Sequence, residues 1–322
     1  TLYREENRKY HDASELNKYI KAQVKDKDMY YIILDEIQLV KDFEYVLNSY
    51  LYENNMDVYV TGSNSKFLSS DIITEFRGRG DEIRVFPLSF KEFMEVYPKN
   101  KYDGWSEYLL YGGMPLIISK KSDEEKSKYL KDLFTQTYIK DIVERNNIQR
   151  VDGSLTNPQK MYNAFLSAGE KKLSNVTVTT YLKNIEDAFI VNKSERYDVK
   201  GKRYISSPQK YYFSDIGLRN ARLNFRQQEE NHLMENIIYN ELIVRGYNVD
   251  VGVVEVRTSK ETKQLEIDFV CNLGTKRYYI QSALNIDTRE KTLQEENSLL
   301  NVGDNFKKII VVKDNAKPWY TE

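Results

Sequence analysis

Two adjacent carboxylates, Asp35 and Glu36, directly follow the apolar run YYIIL at residues 30–34. A run this short and rich in Ile and Tyr predicts a strand of an α/β domain that is buried on both faces, and such domains bind ligands at the carboxyl ends of their strands. Asp35 there could hold a magnesium ion, and Glu36 could orient and polarise an attacking water molecule. The alternative is a strand whose solvated end carries two acids without a catalytic role.

Further polar residues follow the next predicted strand, residues 57–61, where the sequence continues with Gly62, Ser63 and Asn64. If the two strands are parallel neighbours, Ser63 and Asn64 lie beside the two acids. The stretch FRGRG then sets Arg79 among glycines, a flexible and exposed place from which a planar guanidinium could reach a neighbouring subunit's phosphates. The alternative for Arg79 is an ordinary solvated loop.

Residues 158–215 have the pattern helix, turn, helix, β-hairpin, which predicts a winged helix. Thr179 and Lys183 fall on the outward side of its second helix. The hairpin tip carries Lys200, Lys202 and Arg203 within a locally basic stretch of a near-neutral chain, and these side chains could bind DNA phosphates. The alternative is a hairpin that only packs against the rest of the protein.

Composition limits the classes of protein to consider. A chain of 322 residues exceeds what one hydrophobic core usually holds, so two or three domains are expected. The net charge of −1 argues against a globally basic nucleic-acid binder. One cysteine, Cys271, and two histidines exclude an internal disulfide and a thiolate or histidine zinc cluster. The absence of a long apolar run and of a signal peptide predicts a cytoplasmic protein with no membrane span.

Several strings in a fixed order carry a family resemblance. LDEIQ, VYVTGSNS, FRGRG and VFPLSFKEF are followed by YGGMP at 111–115, KYYFSDIGLRN at 210–220, LMENIIYNELIVRGY at 233–247 and EIDFV at 266–270. Together they resemble the prokaryotic AAA-type ATPases that carry a C-terminal domain of unknown function resembling restriction endonucleases. The resemblance covers nearly the whole chain.

The resemblance implies an α/β fold class with four parts. These are a partial P-loop, AAA-type parallel-sheet core at 1–100, a helical lid at 101–150, a winged helix at 151–215 and a restriction-endonuclease-like α/β domain at 216–322. It also implies roles for individual residues: Asp35 as the magnesium-shell acid, Glu36 as the hydrolytic glutamate, Ser63 or Asn64 as the sensor of the γ-phosphate, and Arg79 as an arginine finger. The implied cofactors are ATP and magnesium.

The sequence departs from this family in one respect. No G-x-x-x-x-G-K-[ST] string occurs among its fourteen glycines, although the backbone amides and lysine of that loop cradle the phosphates in this class. The family places the loop upstream of Thr1. We therefore expect the 322 residues alone to bind ATP poorly or not at all.

The last hundred residues predict a helix at 233–245, strands at 249–256, 266–270 and 277–281, a helix at 289–300 and a strand at 306–312. This order suits the restriction-endonuclease-like core. The nuclease site of that fold would map to Glu235, Asp268 and Gln281, with Glu266 nearby, but Ala283 stands where the lysine belongs. The sequence therefore favours a degenerate site without nuclease activity.

The resulting functional prediction is an AAA-type ATPase that couples ATP hydrolysis to a DNA- or protein-binding C-terminal module, in a possible homo-oligomer. One alternative is a nucleic-acid or protein binding module with a vestigial ATPase. A second is a metal-dependent DNA nuclease.

Overall fold

The computed structural model of the chain describes residues 2, 4–62, 80–135, 175–226, 229–257 and 261–313. These residues fall into two compact units, 1–84 and 85–322, and each is described by itself. Within the described ranges no helix is long and apolar enough to cross a membrane.

The N-terminal unit is built on two parallel strands, β1 (Tyr30–Leu34) and β2 (Met56–Val60). They pair in register from Tyr30 opposite Met56 to Leu34 opposite Val60. Helices α1 (Ala13–Gln23) and α2 (Phe43–Tyr50) supply the buried side chains that pack with this pair. Short 3-10 helices precede α1 and follow β1, at Glu5–His11 and Ile37–Leu39.

Only one face of this sheet is packed by the residues that the structure describes. Tyr31 and Ile33 of β1 are 69% and 73% exposed, whereas Leu34 is 8% exposed. Successive side chains of a strand point to opposite faces, and the described helices cover the face that carries Ile32 and Leu34. The prediction that this strand is buried on both faces is therefore wrong for the described residues.

The C-terminal unit opens with helices. Helix α3 (Phe90–Val96) begins at Ser89 with a capping box, in which the Ser89 hydroxyl accepts from the Glu92 N–H and the Glu92 carboxylate accepts from the Ser89 N–H. The remaining helices are α4 (Lys101–Tyr111), α5 (Asp123–Asp132), α6 (Asn175–Asp187), α7 (Ile216–Arg222), α8 (Glu230–Val244) and α9 (Arg289–Leu300), with a 3-10 helix at Pro115–Ser119.

A six-stranded mixed sheet forms the centre of this unit, in the order β4-β3-β5-β6-β7-β8. Its strands are β3 (Val191–Asp198), β4 (Arg203–Phe213), β5 (Asn248–Arg257), β6 (Thr262–Leu273), β7 (Lys276–Ala283) and β8 (Lys307–Val312). The β3–β4 hairpin, assigned by sequence to a winged helix, continues this sheet because β3 pairs parallel with β5. It is therefore a pair of strands at one edge of a larger sheet, and the predicted boundary at 215–216 falls between strands of one sheet.

A buried carboxylate joins α4 to α7. Asp215 accepts hydrogen bonds from the Gly113 N–H at 2.7 Å and from the Leu218 N–H at 3.0 Å. Gly113 must be glycine here, because a Cβ on it would lie 2.1 Å from the carbonyl oxygen of Leu88. This close packing fixes α7 against the end of α4.

Buried amides then fix α8 against the end of β4. The Asn236 side chain donates to the Phe213 carbonyl at 2.7 Å and accepts from the Phe213 N–H at 2.9 Å. At the other end of α8, the Glu241 carboxylate accepts from the Phe90 N–H at 2.7 Å. These bonds set the position of Glu235, which α8 carries.

Candidate functional site

Asp35 and Thr61 meet at the carboxyl ends of β1 and β2. Each lies one residue beyond the last registered pair, Leu34 opposite Val60. The Thr61 hydroxyl donates to Asp35 Oδ1 at 2.6 Å, and the Thr61 N–H donates to the Leu34 carbonyl at 2.9 Å. Oδ1 of Asp35 thus accepts a hydrogen bond from the Thr61 hydroxyl, and Oδ2 takes no part in that hydrogen bond.

Glu36 is held by the same threonine. Its N–H donates to Thr61 Oγ1 at 3.2 Å, and the next N–H along the chain, that of Ile37, donates to the Thr61 carbonyl at 3.1 Å. The backbone of Glu36 is left-handed, with φ 57°, which turns the chain sharply after β1. Its carboxylate accepts a hydrogen bond from the Gln38 amide. Strain of this kind in a non-glycine residue is common at functional sites.

The residues present suit a magnesium ion bound together with a nucleotide. Magnesium in nucleotide sites uses one or two carboxylates and takes its other ligands from water and phosphates. In the described part of the chain no three His, Cys, Asp or Glu side chains form a cluster that could hold a metal ion. Asp35 is the acid that would bind such an ion here, as its sequence position predicts.

Three of the predicted site residues, Ser63, Asn64 and Arg79, lie outside the described residues, and their roles stay predictions. Thr61 is a contact that the sequence reasoning missed. Once the parallel register of β1 and β2 is known, the residue after β2 must lie opposite the residue after β1. That register would therefore have predicted the contact between Thr61 and Asp35.

A second polar site lies in the C-terminal unit, where the structure brings Glu235, Asp268 and Gln281 together. Glu235 comes from α8, Asp268 from β6 and Gln281 from β7. The Gln281 side chain accepts from the Asp268 N–H at 3.3 Å, and the Ser282 N–H donates to Asp268 Oδ2 at 2.8 Å. The predicted grouping of these side chains is thus present in the fold.

Lys210 of β4 lies among these acids. Its ammonium nitrogen is 2.8 Å from Glu235 Oε1, 2.8 Å from Glu266 Oε1 and 3.9 Å from Asp268 Oδ1. Ala283, where the sequence lacks the expected lysine, is buried and supplies no charge. The sequence alone does not single out Lys210, because nothing local in it shows that β4 passes beside α8.

The pKa values of Asp268 and Lys210 are shifted because these charged side chains lie close together. Burial and the neighbouring Glu235 charge raise the pKa of Asp268 to about 7, against the opposing Ser282 N–H and Lys210 ammonium. Burial alone would lower the pKa of Lys210, but Glu235 and Glu266 raise it above its ordinary value. Lys210 is therefore charged at every physiological pH, while Asp268 is partly protonated near neutrality.

The predicted DNA-contact residues are on the surface, and Lys200 and Arg203 among them contact other residues of the protein. Thr179 and Lys183 are exposed on α6. The Lys200 ammonium donates to the Glu255 carbonyl at 3.0 Å, and Arg203 pairs with Asp198 at 3.4 Å. A DNA role for this hairpin stays a prediction.

Comparison with known proteins gives three family matches. Residues 1–94 match the model of an AAA domain, and residues 102–229 and 230–322 match two domains of unknown function, DUF8612 and DUF4143. A crystal structure of a Vibrio cholerae protein aligns with 94% of this chain and 70% of that chain at 12% identity, and its TM-score of 0.24 carries no argument about the fold.

Two relatives are similar along most of the chain. An uncharacterized protein of Haemophilus influenzae is 31% identical over 320 residues, covering 93% of this chain and 76% of the relative. An uncharacterized protein of Methanocaldococcus jannaschii is 26% identical over 301 residues, covering 86% of this chain and 66% of the relative. By this similarity the chain belongs to the same family as the Haemophilus influenzae relative, and residues 1–94 of the chain match the AAA domain.

Proposed function

We propose that the intact protein binds ATP with magnesium and hydrolyses it, with Asp35 as a magnesium ligand and Glu36 as the residue that orients the attacking water. The observation that carries this proposal is the joint placement of the two acids and Thr61 at the carboxyl ends of two parallel strands. Ligands bind open α/β sheets at this edge. The AAA domain match over the same residues agrees with this assignment.

Each side chain has a separate task in this proposal. The Thr61 hydroxyl orients the Asp35 carboxylate, which is the oxygen ligand for magnesium. Glu36 orients the water that attacks the terminal phosphate or accepts a proton from it. Magnesium, when bound, neutralises charge that develops on the phosphate oxygens. The sensor role of Ser63 or Asn64 and the arginine-finger role of Arg79 belong to the same proposal and need tests of their own.

We further propose that nucleotide state acts on the C-terminal unit, which serves as the module that binds DNA or a protein partner. The support is that Lys210 already lies among the acids of this unit, while Ala283 supplies no charge there. A binding role therefore fits the C-terminal unit better than hydrolysis does.

The test of the ATPase proposal is Glu36→Gln in the full-length gene product, including any residues that precede Thr1. Loss of a general base costs about 10²-fold to 10⁴-fold in rate. We expect the turnover number to fall by at least about 100-fold while ATP affinity stays unchanged, measured by phosphate release and by equilibrium binding. Glu53→Gln, an exposed glutamate of the same unit, is the matched control and should have wild-type activity. Wild-type hydrolysis by the Glu36→Gln protein would refute the assignment.

A further inference from the structure

The acid cluster of the C-terminal unit, defined as Glu235, Glu266 and Asp268, already contains a cation. Lys210 Nζ contacts one oxygen from each of the two glutamates at 2.8 Å and lies 3.9 Å from Asp268 Oδ1. The three carboxylates come from α8 and β6, and the lysine comes from β4. The ammonium is therefore the point at which three elements meet.

A lysine ammonium and a divalent metal ion cannot share these oxygens. Metal–oxygen bonds to magnesium or calcium are about 2.0–2.6 Å long, so an ion held by Glu235 Oε1 and Glu266 Oε1 would occupy almost the same place as Lys210 Nζ. Two cations in contact would also repel each other strongly where little water screens them. Occupation by one therefore excludes the other.

We propose that Lys210 is the resident cation of the acid cluster, that it takes the place of a divalent metal ion, and that it fastens β4 to α8 and β6. This assignment agrees with the alanine at position 283, where the resemblance to restriction endonucleases predicts a lysine beside a metal. Lys210 comes from β4, whereas position 283 ends β7. The Lys210 ammonium lies where a metal ion would bind and balances the charge of the carboxylates.

The surroundings of Lys210 agree with a permanent ion pair. The Tyr212 hydroxyl donates to Glu235 Oε1 at 2.7 Å, so that oxygen accepts from two donors. Arg196 approaches Glu266 Oε2 at 3.6 Å and adds a second positive charge. Two glutamates therefore face two cations, Lys210 and Arg196, and burial raises the pKa of the third carboxyl, Asp268. Carboxylates at a half-buried site are stabilised by pairing of this kind.

The experiment replaces the lysine and supplies a metal. In the full chain, Lys210→Ala should lower the melting temperature by about 5 °C, since removing the ammonium from a half-buried cluster leaves carboxylates uncompensated. Millimolar MnCl₂ should restore at least half of that loss in Lys210→Ala, whereas NaCl of equal ionic strength should not. The wild-type protein should neither bind Mn²⁺ by calorimetry nor change its melting temperature with it.

Three further variants complete the test. Lys263→Ala removes a surface lysine that pairs with Glu261 at 2.8 Å, and it should show neither the loss nor the rescue. Lys210→Ala combined with Asp268→Asn should lose the rescue. If Lys210→Ala does not fold, Lys210→Gln replaces it in the same measurements, because glutamine keeps a hydrogen-bond donor at this position and removes the positive charge. Mn²⁺ binding to the wild-type cluster as tight as to the variant, or a folded variant that gains no Mn²⁺ binding, would overturn the proposal.

Discussion

Thr61 sets the geometry of both N-terminal acids. Its hydroxyl donates to Asp35 and accepts from the Glu36 N–H, and its own backbone joins the turn that follows β1. A threonine hydroxyl can donate and accept at once, which suits this double contact. We infer that Thr61 positions Asp35 for magnesium without touching the nucleotide itself.

Thr61→Val tests this role, because valine keeps the shape and removes the hydroxyl. A hydrogen bond to a charged group contributes about 1.5–3 kcal/mol, so we expect the magnesium concentration for half-maximal hydrolysis to rise about tenfold or more. The measurement is ATPase activity of the full-length protein across a magnesium titration.

Thr61→Ser is the control for that titration, since serine keeps the hydroxyl and should retain the wild-type magnesium dependence. A merely structural threonine would lower stability in Thr61→Val and leave the magnesium midpoint unchanged. That outcome would contradict the positioning role.

Asp35 and Glu36 could be predicted from sequence because they are adjacent and end an apolar strand, which is a local pattern. Thr61 and Lys210 could not be identified in the same way, because their contacts join residues about 25 positions apart and depend on strand register. The grouping of Glu235 with Asp268 was predicted through the family resemblance, whereas the cation between them comes from a strand outside that pattern.

At the scale of elements, the strings YGGMP and FSDIGLRN form a joint instead of a catalytic site. Asp215 accepts from the N–H groups of Gly113 and Leu218, and Asn220 donates to the carbonyls of Leu109 and Leu110 at 2.9 and 3.0 Å. Buried polar groups cost free energy unless they are paired, and here both side chains are satisfied by the backbone. These strings therefore hold α4 and α7 together.

Gly113→Ala should destabilise the C-terminal unit strongly. The added Cβ would lie 2.1 Å from the Leu88 carbonyl oxygen, a backbone atom that cannot move away cheaply. Overpacking typically costs about 1–3 kcal/mol, and we expect a loss in the upper part of that range by urea denaturation. Gly303→Ala is the matched control, because nothing lies within 4 Å of its added Cβ. Equal stability of the two variants would show that the joint is not tightly packed.

Asp215 should make stability depend on pH. Burial raises its pKa from 3.8 to about 6 in the folded protein, against the N–H groups that donate to it. The folded state therefore holds more protons than the unfolded state between these values, so this residue's contribution is greatest below pH 3.8 and is lost as the pH rises through about 6. At about 1.4 kcal/mol per pH unit, the change is roughly 3 kcal/mol at most.

The measurement compares the wild type with Asp215→Asn by urea denaturation at pH 4 and pH 7. Asparagine does not titrate, and its amide N–H groups would face backbone N–H donors, so the variant should be less stable at both values. The difference between the two proteins should shrink as the pH rises. Asp287→Asn, at an exposed position of the same unit, should show no such trend. A difference that grows with pH would contradict the raised pKa of Asp215.

The elements themselves were largely predictable, and their assembly was not. The helix predicted at 289–300 is α9, and the helix predicted at 233–245 corresponds to α8. Hydrophobic periodicity is local, so it indicates such elements well. The pairing of β3 with β5 joins segments about 55 residues apart, and no local pattern shows that the hairpin continues the C-terminal sheet.

At the scale of the whole molecule, an AAA domain precedes a unit with its own sheet and core. In that unit the acids that would hold a metal are already paired with Lys210, and the residue at position 283 has no charge. Phosphodiester hydrolysis of this type needs a metal ion to activate water and a separate cation to stabilise developing charge. At the described acid site Lys210 lies in the metal's place, and the second cation, Arg196, pairs with Glu266 at 3.6 Å.

We therefore expect no nuclease activity from the protein. Purified full-length protein incubated with supercoiled plasmid and with single-stranded DNA should leave both intact over a range of magnesium and manganese concentrations, with ATP and without it. Lys210→Ala should also fail to cleave, because position 283 is an alanine and would still supply no cation beside the attacking water. Cleavage by the wild type that disappears in Asp268→Ala would show that the acid cluster is an active site and would contradict the assignment of Lys210 as its resident cation.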